Sequence, residues 1–455
     1  MINSGIPIPR AFDPVVLPGS NNQDMTDHVV GVASRRRAFG WWWAAIAPCA
    51  ALTAALFGAI LYLFYAGVGI WGINWPVMWG FALINYVWWI AIASGGTFIS
   101  ALFYLTRSDW RSATNRIAES MTLFGAACAG IYPVLHLGRP WFFYWLLPYP
   151  STMHTWPQFR SPLLWDFYAI LTYVIASILF WYLGLLPDLA TMRDRALTRG
   201  RALFYGILAL GFRGSGQQWR HYHATYAVLA AIMAPLVCSV HSVVGLDFAG
   251  AATVGWHSTE FPPFFVFGAF LSGFATVLIL IIPLRRLLRL DRYITGRHLD
   301  VLCRLMLTSS LFLLYAYAMD AFTVFYGAQP AERTEFIERV FGYYAAIYWS
   351  TIVLNVMVPQ LLWFRRIRLN QPAVLFISFA IIVGMWCERF MIVVVSLHRS
   401  HLPSSWGVFH ATVWDWLTMA GTVGFFFFGI LLMVRLIPMI AMFEMRELLP
   451  PRRTS

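Results

Sequence analysis

The residues best suited to chemistry in this 455-residue chain are two histidines and two carboxylates at the ends of apolar stretches. His136 closes one such stretch, Asp166 opens the next, and His241 and Asp247 close the one after that. A histidine and a carboxylate at the rim of an apolar site can each hydrogen-bond one hydroxyl of a quinol and accept its proton. The alternative interpretation is that these groups cap helix ends or pair with a nearby arginine such as Arg139.

A second group of ionisable residues lies in the C-terminal half of the chain, within or beside apolar stretches. It comprises Asp320, Glu388, Arg389 and Asp415. Glu388 and Arg389 are adjacent and project about 100° apart on a helix, so Asp320 is the candidate partner of Arg389. Two interpretations stay open, a buried structural ion pair or a step in a proton path at membrane depth.

Metal cofactors have no clear sequence signature. The five cysteines are far apart and form no CxxC or CxxCH motif, so the chain shows no site for an iron–sulfur cluster or a covalent haem of its own. His136 and His241 lie within predicted helices, but both are near helix ends, which disfavours a haem held between them. We therefore expect no cofactor and no metal on this chain.

The elements that must position these residues are transmembrane helices. The chain is 60% hydrophobic and 11% charged, whereas a soluble domain carries roughly 25% charged residues. About 20 apolar residues span the hydrocarbon core as a helix, and ten segments qualify. We predict an all-α integral membrane protein with helices at 41–66, 76–104, 117–137, 163–186, 223–246, 262–284, 301–326, 341–364, 372–396 and 412–436.

The arginines predict the orientation of these helices. All 32 basic residues are arginine; 26 fall in the two terminal segments and the even-numbered loops, 5 fall in the opposite loops, and Arg389 lies within a helix. Because cytoplasmic loops are enriched in positive charge, both termini are predicted to be cytoplasmic. The net charge of +12 is thus interpreted as a topology signal, and no nucleic-acid partner is expected.

Helices two to five and six to nine each start on the same side, which predicts two four-helix bundles with one flanking helix at each end. The predicted divisions are a cytoplasmic segment at 1–40, the first helix at 41–66, a first bundle at 76–247, a second bundle at 262–396, the last helix at 412–436 and a cytoplasmic tail at 437–455.

Two motifs and this layout resemble a known family. Val134 to Trp141 is similar to the helix-end motif of the NrfD/polysulfide-reductase membrane subunits, and Gly384 to Phe390 resembles their second-bundle motif. The N-terminal stretch Asp24 to Val29 and the chain length most resemble the larger NrfD-like subunit of bacterial alternative complex III, the ActC type.

The resemblance implies a cofactor-free subunit of a quinol oxidoreductase complex in the bacterial inner membrane, acting on a quinol such as menaquinol near the periplasmic face. It implies His136 and Asp166 as catalytic residues. The implied partners are an iron–sulfur subunit of the ActB type, multihaem cytochrome c subunits, a second NrfD-like subunit and lipid. The implied quinol-binding residues are Tyr132, His136, Arg139, Asp166, His241 and Asp247, and the implied proton path comprises Asp320, Glu388, Arg389 and Asp415.

Two interpretations from other classes stay open at this point. A secondary transporter would have broken helices and a binding site at the membrane midplane, whereas the polar residues here are peripheral. A structural anchor for peripheral redox subunits would need no site at all.

Overall fold

Within the part of the chain that the structure describes, helices are joined by loops and there is no β-strand. The computed structural model describes residues 14–17, 19–35, 40–138, 140–146, 159–160, 162–251, 253–256, 258–399 and 403–449. The helices are α1 (Asn22–Ser34), α2 (Gly40–Ala66), α3 (Phe81–Leu105), α4 (Arg111–Leu135), α5 (Pro162–Asp194), α6 (Arg199–Leu208), α7 (Gly216–Ala249), α8 (Phe261–Leu287), α9 (Gly296–Gly327), α10 (Pro330–Phe341), α11 (Ala345–Ile352), α12 (Arg365–Arg368), α13 (Gln371–Phe390), α14 (Val413–Leu436) and α15 (Met442–Leu448).

Ten helical segments are long and apolar enough to cross a membrane within the described residues. They are α2, α3, α4, α5, α7, α8, α9, α11 with its continuation to Trp363, α13 with its continuation to Val395, and α14. This confirms the predicted all-α membrane fold, since each predicted segment corresponds to one of these helices.

Two closed rings of helices form the body of the protein. In the first ring α3 packs on α4, α4 on α5, α5 on α7 and α7 on α3. In the second, α8 packs on α9, α9 on the continuation of α11, α11 on α13 and α13 on α8. The rings meet where α3 crosses α8, because neither Gly95 nor Gly273 has a side chain. A Cβ built on Gly95 would lie 2.2 Å from the Cα of Gly273, so the two backbones touch directly.

The remaining two spanning helices, α2 and α14, pack side by side at the edge of the first ring. Tyr132 of α4 places its hydroxyl 3.1 Å from the Oγ1 of Thr422 on α14, and Trp89 of α3 donates to the same oxygen at 3.0 Å. Most of α2 is exposed and apolar, as expected of a helix that faces lipid.

One end of the helical body carries both described ends of the chain, and we call it the terminal face; α1, α6 and α15 lie there. A buried ionic network closes it. Arg116 lies 3.0 Å from Glu119 and 2.8 Å from Asp188, and Arg111 lies 2.7 Å from Glu444 of α15. The network ties the C-terminal helix to α4 and α5 through interactions that are costly to break when buried.

The other end, which we call the opposite face, is formed by the loops before α3, α5, α8, α10 and α14. Thr412 and Asp415 cap the start of α14, and the Asp415 carboxylate also accepts the backbone N–H of Gly72 at 2.8 Å. The Thr412 hydroxyl donates to the carbonyl of Ile70 at 2.8 Å. These bonds fasten the loop between α2 and α3 to the start of α14.

Candidate functional site

A cavity of about 640 Å³ opens in the first ring near the opposite face. The start of α3, the end of α4, the start of α5 and the end of α7 form its walls, and most of its lining is apolar. Its polar lining residues are Tyr86, His136, Asp166 and Asp247, with the indole-bearing residues Trp79 and Trp256 at its edge. Its size and its few polar groups are typical of a binding site for a small organic molecule.

Asp166 is buried in the first turns of α5 and is held from one side. The Tyr86 hydroxyl of α3 donates to its Oδ2, while its Oδ1 has no hydrogen-bond partner among the described residues. An unpartnered carboxylate oxygen in an apolar cavity is costly unless something binds there. The arrangement therefore leaves one oxygen of Asp166 for a ligand.

His136 follows directly after the last residue of α4. Its Nδ1 lies 2.8 Å from the Tyr132 carbonyl oxygen, which can only accept a hydrogen bond, so Nδ1 carries the proton. In the neutral ring Nε2 is then the accepting nitrogen. The Trp79 ring meets the imidazole edge-on with centroids 5.4 Å apart, which fixes the ring plane at the cavity wall.

Asp247 lines the same cavity from the last turns of α7, and its carboxyl is close enough to Asp166 to interact with it electrostatically. Its Oδ1 is buried without a hydrogen-bond partner among the described residues. The predicted helix at 223–246 would end one residue before Asp247, whereas α7 continues to Ala249 and includes it. Asp166 and Asp247 thus bring two carboxyl groups to one apolar space.

Two of the predicted quinol-binding residues lie elsewhere, and a third cannot be placed. The Tyr132 hydroxyl contacts Thr422 of α14. Tyr132 does not line the cavity, whereas His136, one turn further along the chain, does. His241 is buried with Nδ1 3.2 Å from the Val237 carbonyl oxygen, and it neighbours Arg389 instead of the cavity. Arg139 lies outside the described residues.

A second polar cluster is buried in the second ring. The Tyr317 hydroxyl donates to Glu388, and the Nη1 of Arg389 lies 2.8 Å from the Oε1 of Glu388. The Arg389 guanidinium also sits over the Phe265 ring, 4.2 Å from its centroid. Glu388 and Arg389 therefore contact each other despite being adjacent, because their long side chains curl together within the ring.

Asp320 belongs to a neighbouring group nearer the opposite face, so it is not the partner of Arg389. Its carboxylate lies 3.0 Å from the Nη1 of Arg339, whose Nε lies 2.6 Å from Glu335. Burial is the main reason that the pKa of Glu335, on the short helix α10, is raised above its usual value, and the adjacent Arg339 opposes the shift.

A small cavity of about 20 Å³ joins these two groups. Glu260, Tyr317, Asp320, Arg339 and Ser396 line it, and its volume suffices for about one water molecule. Burial, and then the negative charge of Asp320, raise the pKa of Glu260 to about 7. The lining connects a titratable carboxyl near the opposite face to Tyr317 and hence to Glu388.

The remaining predicted proton-path residue, Asp415, is a helix cap. Its Oδ2 accepts the backbone N–H groups of Thr412 and Gly72, each at 2.8 Å, and is not part of the Glu388 cluster. Asp415 thus has a structural role at the start of α14. Its position at the beginning of an apolar stretch also indicates a helix cap.

Sequence reasoning missed Tyr86, Tyr317 and the network on the terminal face. With 20 tyrosines in the chain, nothing in the sequence marks those that donate to carboxylates, namely Tyr86, Tyr317 and, on the terminal face, Tyr226. Glu119 did carry a signal, because it is an acidic residue inside a predicted helix and lies three residues after Arg116, on the same helix face.

Comparison with known proteins places the chain in a family. The family profile described as polysulphide reductase, NrfD, matches residues 69–399, which include both rings. The chain belongs to the NrfD family. This confirms the family that the helix-end motifs predicted.

A relative similar to this NrfD chain is a putative membrane subunit of dimethyl sulfoxide reductase from Halobacterium salinarum, 26% identical over 234 residues. The alignment spans about half of that relative, 49%, and 49% of this chain.

Potential metal ligands are scattered in this NrfD protein. Within the described residues there is no group of three or more histidine, cysteine, aspartate or glutamate side chains that could hold a metal ion. The five cysteines are all free.

Proposed function

We propose that this chain is the membrane subunit of a redox complex and that it oxidises a quinol in the cavity of the first ring. The observation that carries the proposal is a pair of acceptor atoms on one apolar cavity: the Oδ1 of Asp166, which has no hydrogen-bond partner among the described residues, and the Nε2 of His136. A ring with two hydroxyls presents two donors, and these atoms offer two acceptors. Membership of the NrfD family and the redox function in the name of the archaeal relative support this proposal.

The proposed chemistry needs only proton acceptors from this chain. Oxidation of a quinol to a quinone releases two electrons and two protons. One hydroxyl proton passes to the Nε2 of His136 and the other to Asp166, whose Oδ2 stays hydrogen-bonded to Tyr86. Asp247 is the neighbouring carboxyl that can pass a proton on from Asp166.

The two electrons must leave to a partner, and we propose an iron–sulfur subunit that docks on the opposite face. Large aromatic residues are exposed in the loops of the opposite face, among them Trp75, Trp141 and Phe159. Exposed aromatic residues of this kind favour a protein interface. The same proposal includes the periplasmic location of this face, cytoplasmic termini and menaquinol as the substrate. It also includes cytochrome c subunits and a second NrfD-like subunit, as in alternative complex III.

Replacing the two acceptors tests the proposal. We expect His136→Gln and Asp166→Asn each to lower quinol oxidation by the assembled complex at least a hundredfold, because general acid–base groups typically contribute 10²–10⁴-fold. The measurement is turnover of a soluble quinol analogue by purified complex containing all its subunits.

Tyr132→Phe is the matched control, because it removes a polar atom four residues from His136 that is directed at Thr422. Its turnover should stay within about twofold of the unmodified complex. Full turnover in a complex carrying both His136→Gln and Asp166→Asn would refute the quinol site and favour a structural anchor.

We further propose that the second ring carries protons between its small cavity and Glu388. Asp320, Glu260, Tyr317 and Glu388 form the polar sequence, and Arg389 is the buried countercharge of Glu388. Asp415 is left out, since its carboxylate caps α14. Ionisable groups at membrane depth are costly and are commonly kept for such transfer.

Measuring proton release per electron in sealed vesicles tests this route. Glu388→Gln and Asp320→Asn should each lower the ratio while quinol turnover persists, because neither residue lines the quinol cavity. An unchanged ratio in both variants would show that the cluster is structural.

A secondary transporter is the less favoured alternative. The large cavity lies where helices begin and end near the opposite face, whereas transporter sites lie near the midplane between broken helices.

A further inference from the structure

A second large groove lies on the terminal face, far along the helices from the quinol cavity. It has a volume of about 670 Å³ between α1, the start of α2 and the end of α8. Arg35 and Arg289 line it together with His28, and Val32, Trp41 and Leu287 supply apolar surface. The groove therefore combines cationic and apolar walls at the level where helices leave the hydrocarbon.

The charge around the groove is positive. Asp27 is an acidic residue on its lining, and it forms an ion pair with Arg195. Next to Arg35, the guanidinium of Arg435 lies 2.7 Å from the Arg35 carbonyl oxygen, and its Nη1 is buried without a hydrogen-bond partner among the described residues. Arg201 approaches from α6, with Nη1 2.6 Å from the Ser34 carbonyl oxygen.

Arg289 is held in a backbone conformation that favours glycine. Its φ is +56°, in the left-handed region, at the position just after α8 where many helices end in glycine. A non-glycine residue there costs about 1 kcal/mol or more. The strained position places the Arg289 side chain on the lining of the groove.

The surroundings indicate which ligand reaches the groove. Trp41 lies in the first turn of α2, whose further course exposes Phe57 and Leu61. On α6, Leu203 and Ile207 are 65% and 64% exposed, as expected of a helix lying in the membrane interface. A molecule in the groove would thus have its polar end among arginines and its apolar end along a lipid-facing helix.

We propose that this groove binds an anionic phospholipid, with its phosphodiester between Arg35 and Arg289 and its acyl chains along α2. Guanidinium groups bind phosphate oxygens through charge-assisted hydrogen bonds. Indole rings such as that of Trp41 favour the level of the glycerol backbone. The site is separate from the quinol cavity and needs no redox partner.

The test compares two arginines in the same local backbone setting. Arg107 also has a left-handed φ, +53°, directly after a helix that ends on the terminal face, but it does not line the groove. Arg289→Gly and Arg107→Gly each remove one positive charge and relieve the same backbone strain. Both variants should therefore fold at least as well as the unmodified protein, which thermal unfolding verifies.

The full chain in its native complex is stripped of lipid in detergent and titrated with phosphatidylglycerol, and bound lipid is counted by native mass spectrometry. We expect Arg289→Gly to weaken binding roughly fivefold or more, the effect of one arginine near an anionic lipid, and Arg107→Gly to leave it unchanged. Phosphatidylcholine should bind more weakly to every variant.

Three results would overturn the proposal. Equal loss in the two variants would show a general attraction to the basic face. Equal retention of phosphatidylcholine would show an apolar groove without charge selection. Displacement of the lipid by millimolar inorganic phosphate would show a site for free phosphate instead of a lipid.

Discussion

At the scale of single residues, the candidate site consists of hydrogen-bond acceptor atoms on the lining of the cavity. Asp166 accepts a hydrogen bond from Tyr86 through Oδ2, and its Oδ1 has no partner among the described residues. His136 donates to the Tyr132 carbonyl through Nδ1, so its Nε2 is the accepting nitrogen. The sequence predicts the depth of such residues, because helix ends can be located. It does not predict which face of each helix is directed at the cavity. For this reason Tyr132 and His241 were expected in the same site as His136 and Asp166.

Glu260 provides a prediction about pH. Its pKa in the folded protein is about 7 against an ordinary value of 4.5, mainly because it is buried. Between these values the folded state holds a proton that the unfolded state has lost. Stability should therefore fall as pH rises from about 5 to about 7 and then level off.

Glu260→Gln should flatten that decline in thermal unfolding experiments in detergent at pH 5 to 8. The exposed carboxylate of Asp109 provides the control, and Asp109→Asn should keep the slope of the unmodified protein. An identical slope in Glu260→Gln would contradict the prediction.

At the scale of helices, hydropathy predicted all ten spans because length and apolarity are enough to recognise them. It did not predict the π-helical turns at Val353–Met357 and Met391–Val395, which depend on packing rather than on composition. Both turns lie beside the Glu388 cluster: Asn355 within the first turn donates to Tyr317 at 3.5 Å, and the second begins two residues after Arg389. Such turns are frequent at functional sites.

The crossing of α3 and α8 provides a prediction about stability. Gly95→Ala should destabilise the protein by about 1–3 kcal/mol, because the added methyl group would meet the backbone of Gly273. Thermal unfolding of the purified protein measures the loss.

Gly58→Ala on α2 is the matched control, since a Cβ there meets nothing within 4 Å. It should be neutral or slightly stabilising, because alanine is the better helix former. Equal stability of the two alanine variants would show that the crossing tolerates a wider separation.

At the scale of the whole molecule, the arginine count predicted that both chain ends lie on one side, and α1 and α15 do share the terminal face. The compartment that this face meets stays a prediction. The buried network beneath it was not predictable, because Glu444 follows the last span by several residues and its contact with Arg111 joins positions 333 residues apart.

Removing that contact should loosen the terminal face. Glu444→Ala leaves Arg111 buried without its carboxylate, and breaking such a pair costs about 3–5 kcal/mol. We expect a lower unfolding temperature and faster proteolysis of the C-terminal segment. Glu447→Ala changes an exposed carboxylate on the same helix and should alter neither measurement; a Glu444 variant as stable as that control would contradict the prediction.

The direct backbone contact between Gly95 and Gly273 also limits how the two halves can communicate. Helices that touch through their main chains cannot slide past each other without losing that contact, so the crossing acts as a fixed pivot. We therefore expect any coupling between the cavity of the first ring and the Glu388 cluster to use small rotations about this point, or side chains that meet between the rings, such as His241 and Arg389.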